Sequence, residues 1–213
     1  MKFKIVSLFV LCAILISCGT SRQGGKKQRK GTKAQVVLTP EQQRKYDYFF
    51  LEASRLKMKD DYSAAFDLLQ HCLTINPNAS SALYEISQYY MYLKQVPQGQ
   101  AALEKAVEND PDNYWYSQGL ASLYQQQNEM QKATNLLESM ATRFSDRMDP
   151  LYSLLDIYNR LEEYDNVITT LNRLEEKMGK NEQLSMEKFR IYLQKKDNQS
   201  AFREIESLVE EYP

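Results

Sequence analysis

The side chains that could carry out catalysis are few in this chain and far apart. His71 is the one histidine among 213 residues, and the three cysteines are Cys12, Cys18 and Cys72. A serine–histidine–aspartate triad or a zinc site needs a histidine or cysteine together with further ligands at defined spacings. No such cluster occurs, and the seven glycines form no phosphate-binding loop. We therefore expect no catalytic residue, no cofactor, no metal ion and no enzymatic activity.

Cys18 has the clearest chemical setting of the three cysteines. A positively charged start precedes an apolar run at 5–16, which is too short to span a bilayer as a helix, and the tetrapeptide Leu-Ile-Ser-Cys follows at 15–18. This segment resembles the lipobox of bacterial lipoproteins. The resemblance implies that Cys18 receives lipid, that cleavage occurs before it and that the new amino terminus is acylated. An ordinary secretory signal with an unrelated cysteine is the alternative.

The residue after Cys18 bears on where such a protein would be found. Gly19 stands there rather than an acidic residue. In the Gram-negative lipoproteins that this segment resembles, that arrangement implies sorting to the outer membrane. Each buried methylene of an acyl chain contributes about 0.8 kcal/mol, so two chains anchor a protein durably. We expect a lipid-anchored protein of the bacterial cell envelope, and its exposure to the periplasm or the surface stays open.

The amino-terminal segment is basic and the remainder is acidic. Residues 1–35 carry eight of the 27 lysines and arginines and none of the 28 acids, so 36–213 has a formal charge of −9. After the signal peptide at 1–18, residues 19–38 are predicted to be a flexible basic tether, because their composition buries too little apolar surface. The tether either attracts anionic head groups, at about 1 kcal/mol per basic residue, or serves as a solvated spacer. Nucleic acid is not an expected partner, since the tether lacks aromatic residues.

The rest of the chain, 39–213, follows a period of 34 residues. Pro77, Pro111 and Pro213 are separated by multiples of that interval. A fixed 34-residue period is typical of helix–turn–helix solenoids, in which each repeat buries its apolar face against its neighbours. The register divides the chain into five repeats, 46–79, 80–113, 114–147, 148–181 and 182–213. Thr39 and Pro40 have the types of a helix cap and a first helical residue, so the first helix should begin there.

Side chains of similar size recur one period apart within these repeats. Small residues lie where paired helices must approach closely, at Ala53, Ser87, Ala121, Ala65, Gly99, Ala133 and Ala201. A tyrosine series runs through Tyr90, Tyr124, Tyr158 and Tyr192, a leucine series through Leu69, Leu103, Leu137, Leu171 and Ile205, and a third series through Cys72, Ala106, Met140, Leu174 and Leu208. Cys72 should therefore be a buried thiol.

This pattern resembles the tetratricopeptide repeat across 46–213, which implies an all-α, right-handed α-solenoid. The last two repeats depart from the family's pattern. Leu155 and Phe189 replace the small residue of the first helix, and Lys188 replaces an apolar residue. We expect looser packing in those repeats.

The resemblance also implies a concave groove, lined mainly by the first helix of each repeat. The matching positions are Phe50, Tyr84, Gln88, Tyr92, Trp115, Gln118, Tyr152, Asp156 and Asn159. Aromatic side chains supply contact area and amides pair with an extended backbone, so this set favours a protein or peptide partner. The alternative is that several of these aromatic side chains fill the space between repeats.

The last helix raises the question of what covers it. Its apolar side chains are Ala201, Phe202, Ile205, Leu208, Val209 and Tyr212. Solenoids end in caps with a polar outer face. We therefore expect the array to continue beyond 213 or this helix to pair with another chain.

Three functions follow from these features. The first is a membrane-anchored scaffold or adaptor that binds a protein or peptide in the groove. The second is a glycan-capture lipoprotein of a nutrient-uptake system, because aromatic faces stack on sugar rings. The third is the non-catalytic part of a longer enzyme or sensor.

Overall fold

The computed structural model describes residues 37–211, which contain ten α-helices and no strand. In chain order these are α1 (Pro40–Lys57), α2 (Tyr62–Ile75), α3 (Ser80–Tyr92), α4 (Val96–Asn109), α5 (Tyr114–Gln126), α6 (Met130–Arg143), α7 (Asp149–Arg160), α8 (Tyr164–Met178), α9 (Glu182–Gln194) and α10 (Asn198–Glu211). The predicted signal peptide, Cys18 and most of the tether lie outside the described residues and stay predictions.

The first helix begins where the sequence predicts. The Thr39 hydroxyl accepts a hydrogen bond from the Gln42 backbone N–H, and the Gln42 side chain accepts one from the Thr39 N–H. Two backbone donors that a helix start leaves without partners are thereby satisfied. Pro40 fits the first turn because its missing N–H would have no intrahelical acceptor there.

The 34-residue period is a property of the helices themselves. The second helices of the five pairs begin at Tyr62, Val96, Met130, Tyr164 and Asn198, each 34 residues after the last. Each helix packs chiefly on the helix before it and the helix after it. This pairwise stacking is the α-solenoid that the period predicts, and the all-α fold is confirmed.

Small residues allow the paired helices to approach closely. Ala65, Ala121 and Ala133 are fully buried at these crossings. Gly99 marks the tightest one: a Cβ atom there would lie 2.6 Å from Met91 Cε and 3.1 Å from the Ser87 carbonyl oxygen. A large side chain at such a crossing would force the two helix axes apart.

The turn within each pair has one feature that the sequence did not predict. Each turn contains a residue in the left-handed region, with φ between 57° and 61°, and none of the five is glycine. They are Asp60, Lys94, Asn128, Glu162 and Lys196, again one period apart. Side chains other than those of Asn and Asp strain this conformation, at a cost of about 1–2 kcal/mol.

Glycine at these turns should stabilise the fold. We expect Lys94→Gly and Glu162→Gly each to raise the free energy of unfolding by up to about 1 kcal/mol, because relief of the strain exceeds the entropy that glycine adds to the unfolded chain. Thermal unfolding midpoints measure the gain. Asn128→Gly is the matched control and should change little, since asparagine tolerates this conformation. A lower midpoint for both variants would contradict the explanation.

The buried side chains form two hydrophobic clusters that meet at α4. The first joins repeats 1 and 2 and includes Ala102 and Ala106. The second runs from α4 to α9 and includes Leu103. Tyr84 packs against both clusters. Helix α4 therefore contributes buried side chains to both cores.

Two members of the tyrosine series connect successive repeats through hydrogen bonds to glutamates. The Tyr124 hydroxyl donates to Glu104 Oε1 at 2.9 Å, and the Tyr158 hydroxyl donates to Glu138 Oε1 at 3.3 Å. Tyrosine and glutamate are 20 residues apart in both pairs. Burial and the neighbouring carboxylate raise the pKa of Tyr158 to about 12, so it remains a neutral donor. Tyr124 and Tyr158 thus each fill space between repeats, and each hydroxyl bonds to a glutamate of the preceding repeat.

Lys188 lies in a buried ionic network rather than in a loosened core. Its side chain is 3% exposed, and its ammonium lies 2.9 Å from both Glu175 and Glu204. Lys180 lies 3.3 Å from Glu204 and 3.9 Å from Glu175. The network joins α8, α9 and α10, and its two lysines balance its two glutamates. It explains how a charged residue occupies an apolar position of the repeat.

The last helix exposes much of its apolar stripe. Phe202 is 64% exposed and Val209 is 61% exposed, whereas Ile205 and Leu208 are half-buried. Among the residues of this stripe up to 211, only Ala201 is fully buried, against α9.

Cys72 is the buried thiol that its place in the repeat predicts. It is fully buried, and burial raises its pKa to about 11. Because the thiolate is the reactive form, we expect Cys72 to resist a thiol reagent at pH 8 until the chain unfolds. A chain with serine at 12 and 18 isolates this thiol, and the time course of colour release with and without denaturant measures it. Complete reaction within seconds in native buffer would show that repeat 1 opens readily.

Candidate partner-binding surface

The nine residues of the predicted groove divide into two groups by exposure. Gln88, Tyr92, Trp115, Tyr152 and Asp156 are exposed, and Phe50, Tyr84, Gln118 and Asn159 are half-buried. All nine lie on α1, α3, α5 and α7, the first helices of repeats 1 to 4. The exposed group is the part of the predicted groove that a partner could reach.

Two of the half-buried aromatic residues pack against other rings. Phe50 stacks on Tyr46, with ring centroids 5.9 Å apart. Tyr84 stacks on Tyr116 across the junction of repeats 2 and 3, with centroids 4.8 Å apart. Both side chains fill space within the fold, which is the alternative that the sequence left open for the aromatic residues.

Trp115 is held at the surface by its neighbours at the start of repeat 3. Its ring is 64% exposed and lies edge-on to Tyr114, with centroids 5.3 Å apart. The Arg147 guanidinium lies over both rings, 4.0 Å from the Tyr114 centroid and 5.4 Å from the Trp115 centroid. Such cation–π contacts restrain the indole while leaving most of its surface free.

Tyr152 and Asp156 occupy the corresponding part of repeat 4. Tyr152 is 48% exposed, and its hydroxyl donates to the Met178 sulfur at 3.4 Å. Asp156 lies 3.9 Å from Arg160 in an exposed ion pair. Such pairs contribute little to stability, so both groups remain available to a partner.

Gln88 and Tyr92 line a cavity of about 400 Å³ together with Lys57, Tyr62 and Tyr89. We call this cavity the tyrosine pocket. It lies where the end of α1, the start of α2 and the end of α3 meet. Of the nine predicted residues, the structure brings these two together in one concave site.

The tyrosines of the pocket differ in burial. Tyr89 is 7% exposed, whereas Tyr62 and Tyr92 are 46% and 78% exposed. The Tyr62 centroid lies 6.4 Å from those of both Tyr89 and Tyr92. Tyr89 thus forms the floor, and the other two rings form walls open to solvent.

The polar groups of the pocket are arranged around an ion pair. Lys57 Nζ lies 2.7 Å from Glu85 Oε2, and this hydrogen bond raises the pKa of Lys57. The Tyr62 hydroxyl donates to Asp60 Oδ1 at 2.7 Å. The Tyr89 hydroxyl is buried without a hydrogen-bond partner among the described residues, and burial raises its pKa. The pocket therefore combines ring surfaces with the Lys57 ammonium, whereas the Tyr89 hydroxyl is enclosed by the fold.

Tyr62 and Tyr89 were not predicted as site residues. The signal was nonetheless present in the register, because Leu123, Ile157 and Ile191 stand one, two and three periods after Tyr89. A hydroxyl at a position that is aliphatic and buried in the three later repeats marks this junction as different from those that follow it.

The described residues show neither a metal site nor a membrane span. No three histidine, cysteine, aspartate or glutamate side chains between 37 and 211 are grouped as metal ligands. Of the ten helices, none is both long enough and apolar enough to cross a bilayer.

Comparison with known proteins agrees with the repeat register. The tetratricopeptide repeat profile matches residues 80–113, which is the predicted second repeat. No curated protein matches the sequence.

Several solved structures share the fold at low sequence identity. A MamA crystal structure matches with a TM-score of 0.57 and 18% identity, over 79% of this chain and 92% of that chain. A tetratricopeptide repeat protein from Parabacteroides merdae matches with 0.58 and 16%, over 80% and 68%. YrrB, described as a tetratricopeptide repeat protein with an unusual peptide-binding site, matches with 0.57 and 13%, over 81% and 90%.

The 34-residue helix period, the matched repeat and the shared fold lead to one assignment. Such solenoids are usually binding surfaces rather than catalysts. Residues 80–113 match the tetratricopeptide repeat, and the chain shares the α-solenoid fold of solved tetratricopeptide repeat structures.

Proposed function

We propose that this protein is a scaffold of the bacterial cell envelope that holds a protein or peptide partner against the first helices of its repeats. The observation that carries the proposal is the exposure of one large aromatic side chain on each of three successive first helices. Tyr92, Trp115 and Tyr152 lie on α3, α5 and α7 and are 78%, 64% and 48% exposed. Tyrosine and tryptophan supply much of the binding energy in protein interfaces.

The polar side chains between these aromatic residues support a protein ligand. Gln88 and Asp156 are exposed, and Gln118 and Asn159 are half-buried. Amides and carboxylates pair with the N–H and carbonyl groups of an extended backbone. YrrB, whose fold is similar, is described as having a peptide-binding site.

Membrane attachment is the second part of the proposal. Lipid on Cys18 would anchor the chain, the basic residues of 19–38 would lie near head groups, and Gly19 favours the outer membrane. A mass spectrum of the mature amino terminus measures the acyl chains. Cys18→Ser should abolish them and release the protein from the membrane fraction; an unmodified amino terminus in the native chain would remove the anchor.

Loss of the exposed aromatic residues should strongly reduce partner recovery. We expect Tyr92→Ala, Trp115→Ala and Tyr152→Ala, combined in one chain, to lower recovery of the partner from envelope extracts at least tenfold, because truncated hot-spot residues each cost about 2 kcal/mol or more. The matched control is Tyr48→Ala, Leu51→Ala and Leu161→Ala, which removes side chains 65%, 69% and 45% exposed elsewhere. Equal recovery by both chains would exclude this surface.

A further inference from the structure

The outward side of α10 matches the sides of earlier helices that a following repeat covers. Phe66 stands four periods before Phe202, and its ring packs on Tyr89 and Tyr90 of the next repeat, with centroids 5.9 Å and 5.4 Å away. Among the described residues, α10 packs chiefly on α9. Its other side, where Phe202 and Val209 are 64% and 61% exposed, is open to solvent, and we call it the α10 junction face.

Glu206 on this face repeats an acid that bonds to the following repeat elsewhere. Glu104 and Glu138 stand three and two periods before it, and each accepts a hydrogen bond from a tyrosine of the next repeat. Glu138 also lies 2.7 Å from Arg173 of that repeat. Because Glu206 is exposed, it is placed to bond to a further repeat unit in the same way.

Helix α1 presents the other side of such a junction. Arg55 and Leu56 stand one period before the two tyrosines on which Phe66 packs. Arg55 is exposed and Leu56 is half-buried, and α1 packs chiefly on α2 among the described residues. The Arg55 guanidinium bonds to Glu52 through its N–H edge, which leaves its planar face free. We call this side of α1 the α1 junction face.

A second copy placed after α10 in the register of the repeats brings the two junction faces together. Arg55 and Leu56 of the second copy then lie at Phe202, where a guanidinium is attracted to the face of a ring. His71 of the second copy lies at Glu206, in the place of the arginine that pairs with the acid two periods earlier. The contact therefore reproduces an internal junction and removes an exposed ring from water.

The charges of the two faces favour this arrangement over a symmetric one. Residues 40–59, which comprise α1 and the start of the next turn, hold five basic and three acidic side chains. Residues 198–211 hold one basic and four acidic side chains, of which Glu206, Glu210 and Glu211 are exposed. Two copies that meet through α10 alone would bring like charges together, whereas α10 against α1 brings opposite charges together.

We propose that copies of this protein stack head to tail, with the α10 junction face of one copy packed on the α1 junction face of the next. Phe202 packs on Arg55 and Leu56 of the next copy, and Glu206 accepts a hydrogen bond from its His71. Because the contact joins two different faces, a pair of copies still has one free face of each kind, and the stack extends or closes into a ring. The inference goes beyond the proposed function, whose three exposed aromatic residues lie on α3, α5 and α7.

Cross-linking between two different cysteine variants tests the arrangement. Lys195 contacts Asp165 across an internal junction, and the corresponding pair across the proposed contact is Lys59 of the next copy and Gln199. A full-length chain with Lys59→Cys is mixed in detergent micelles with one carrying Gln199→Cys, both with serine at 12 and 18. We expect a short bis-maleimide to join the two chains, while Cys72 stays buried.

The matched control for cross-linking is Lys94→Cys in place of Lys59→Cys. Lys94 is exposed on the turn after α3, away from both junction faces. A chain with this cysteine should give no cross-linked pair with the Gln199→Cys chain.

Sedimentation in density-matched micelles measures how strongly the copies associate. Phe202→Glu should weaken the association at least about tenfold, because it removes the central aromatic contact. Leu161→Glu replaces a side chain that is 45% exposed at the end of α7 and should leave the affinity unchanged. His71→Arg places an arginine where the internal pair has one and should strengthen the association.

Other results would overturn the proposal. A chain that sediments as a monomer at every concentration and gives no cross-linked pair would exclude self-association. Cross-linking of Gln199→Cys chains to one another in preference to Lys59→Cys chains would assign a symmetric contact through α10. Equal cross-linking by Lys94→Cys, or an affinity that Phe202→Glu leaves unchanged, would show that the junction faces do not form the contact.

Discussion

Lys188→Met should lower the free energy of unfolding by about 3–5 kcal/mol, because it removes one cation from a buried ionic network and leaves its partners poorly compensated. The side chains of Glu204 and Glu175 are 11% and 23% exposed. A carboxylate oxygen of each lies 2.9 Å from the Lys188 ammonium in the native chain. Urea denaturation followed by circular dichroism measures the loss.

Two matched variants separate this explanation from a general effect of losing a lysine. Lys195→Met removes an exposed cation that pairs with Asp165 and should cost less than about 1 kcal/mol. Replacing Glu175, Lys188 and Glu204 by Val, Leu and Leu uses residues found one or two periods earlier, at 107, 154 and 136. This triple variant should regain the stability that Lys188→Met loses; a loss as large as that of the single variant would contradict the explanation.

The same network predicts how stability depends on pH. Burial would raise the pKa of Glu204, but hydrogen bonds and attraction from the lysines outweigh it, so the pKa lies below its ordinary value of 4.5. A lowered pKa in the folded chain stabilises it above pH 4.5, and this contribution is lost as the pH falls through the folded value. The native chain should therefore lose stability below about pH 4.5, and the triple variant should lose less.

Leu137→Ala should destabilise the solenoid by about 2–5 kcal/mol. Leu137 is fully buried in the second helix of the central repeat, so truncation removes apolar contact and leaves a cavity. Because each repeat is stabilised by its neighbours, the damage should also separate the unfolding of the two ends. We expect a lower urea midpoint and a shallower transition.

An exposed leucine provides the control for this second prediction. Leu161 is 45% exposed at the end of α7, and Leu161→Ala should change the free energy of unfolding by less than about 1 kcal/mol. If Leu137→Ala were as mild as Leu161→Ala, the buried leucine series would not be what holds the repeats together.

The sequence predicted the α-solenoid because side chains of similar size recur every 34 residues. Ala65, Ala133 and Leu137 are buried where the repeat register places them, and the Thr39 cap starts α1. These features are local or recur at a fixed interval, and a single chain with five repeats displays them several times over.

The left-handed turn conformation and the partners of Lys188 could not be predicted from the repeat pattern. The left-handed turn residues are Asp, Lys, Asn, Glu and Lys, which share no type, so the backbone repeats while the side chains do not. Lys188 was recognised as a departure from the pattern, but its partners lie on two other helices and are identified only when α8, α9 and α10 pack.

The candidate site was predicted only in part. A tyrosine in a helical repeat can either pack between repeats or lie exposed at the surface, and the sequence pattern is the same in both cases. Tyr84 packs between repeats, whereas the side chain of Tyr92 is 78% exposed at the end of α3. Tyr89 lies beside the regular tyrosine series that begins at Tyr90 and does not belong to it, so that series does not single it out. Its distinguishing property, a buried hydroxyl with no hydrogen-bond partner between residues 37 and 211, depends on the packing of three helices.

Because the tyrosine–glutamate pairs recur one period apart, a whole repeat can be removed or duplicated without losing this contact between neighbouring repeats. In-frame removal of 114–147 would join α4 to α7 and bring Tyr158 to Glu104, in the relation that Tyr124 now has. Duplication of the same segment would create one more such pair. Recombination can therefore shorten or lengthen this protein by one unit while the junction that carries the tyrosine pocket is left as it is.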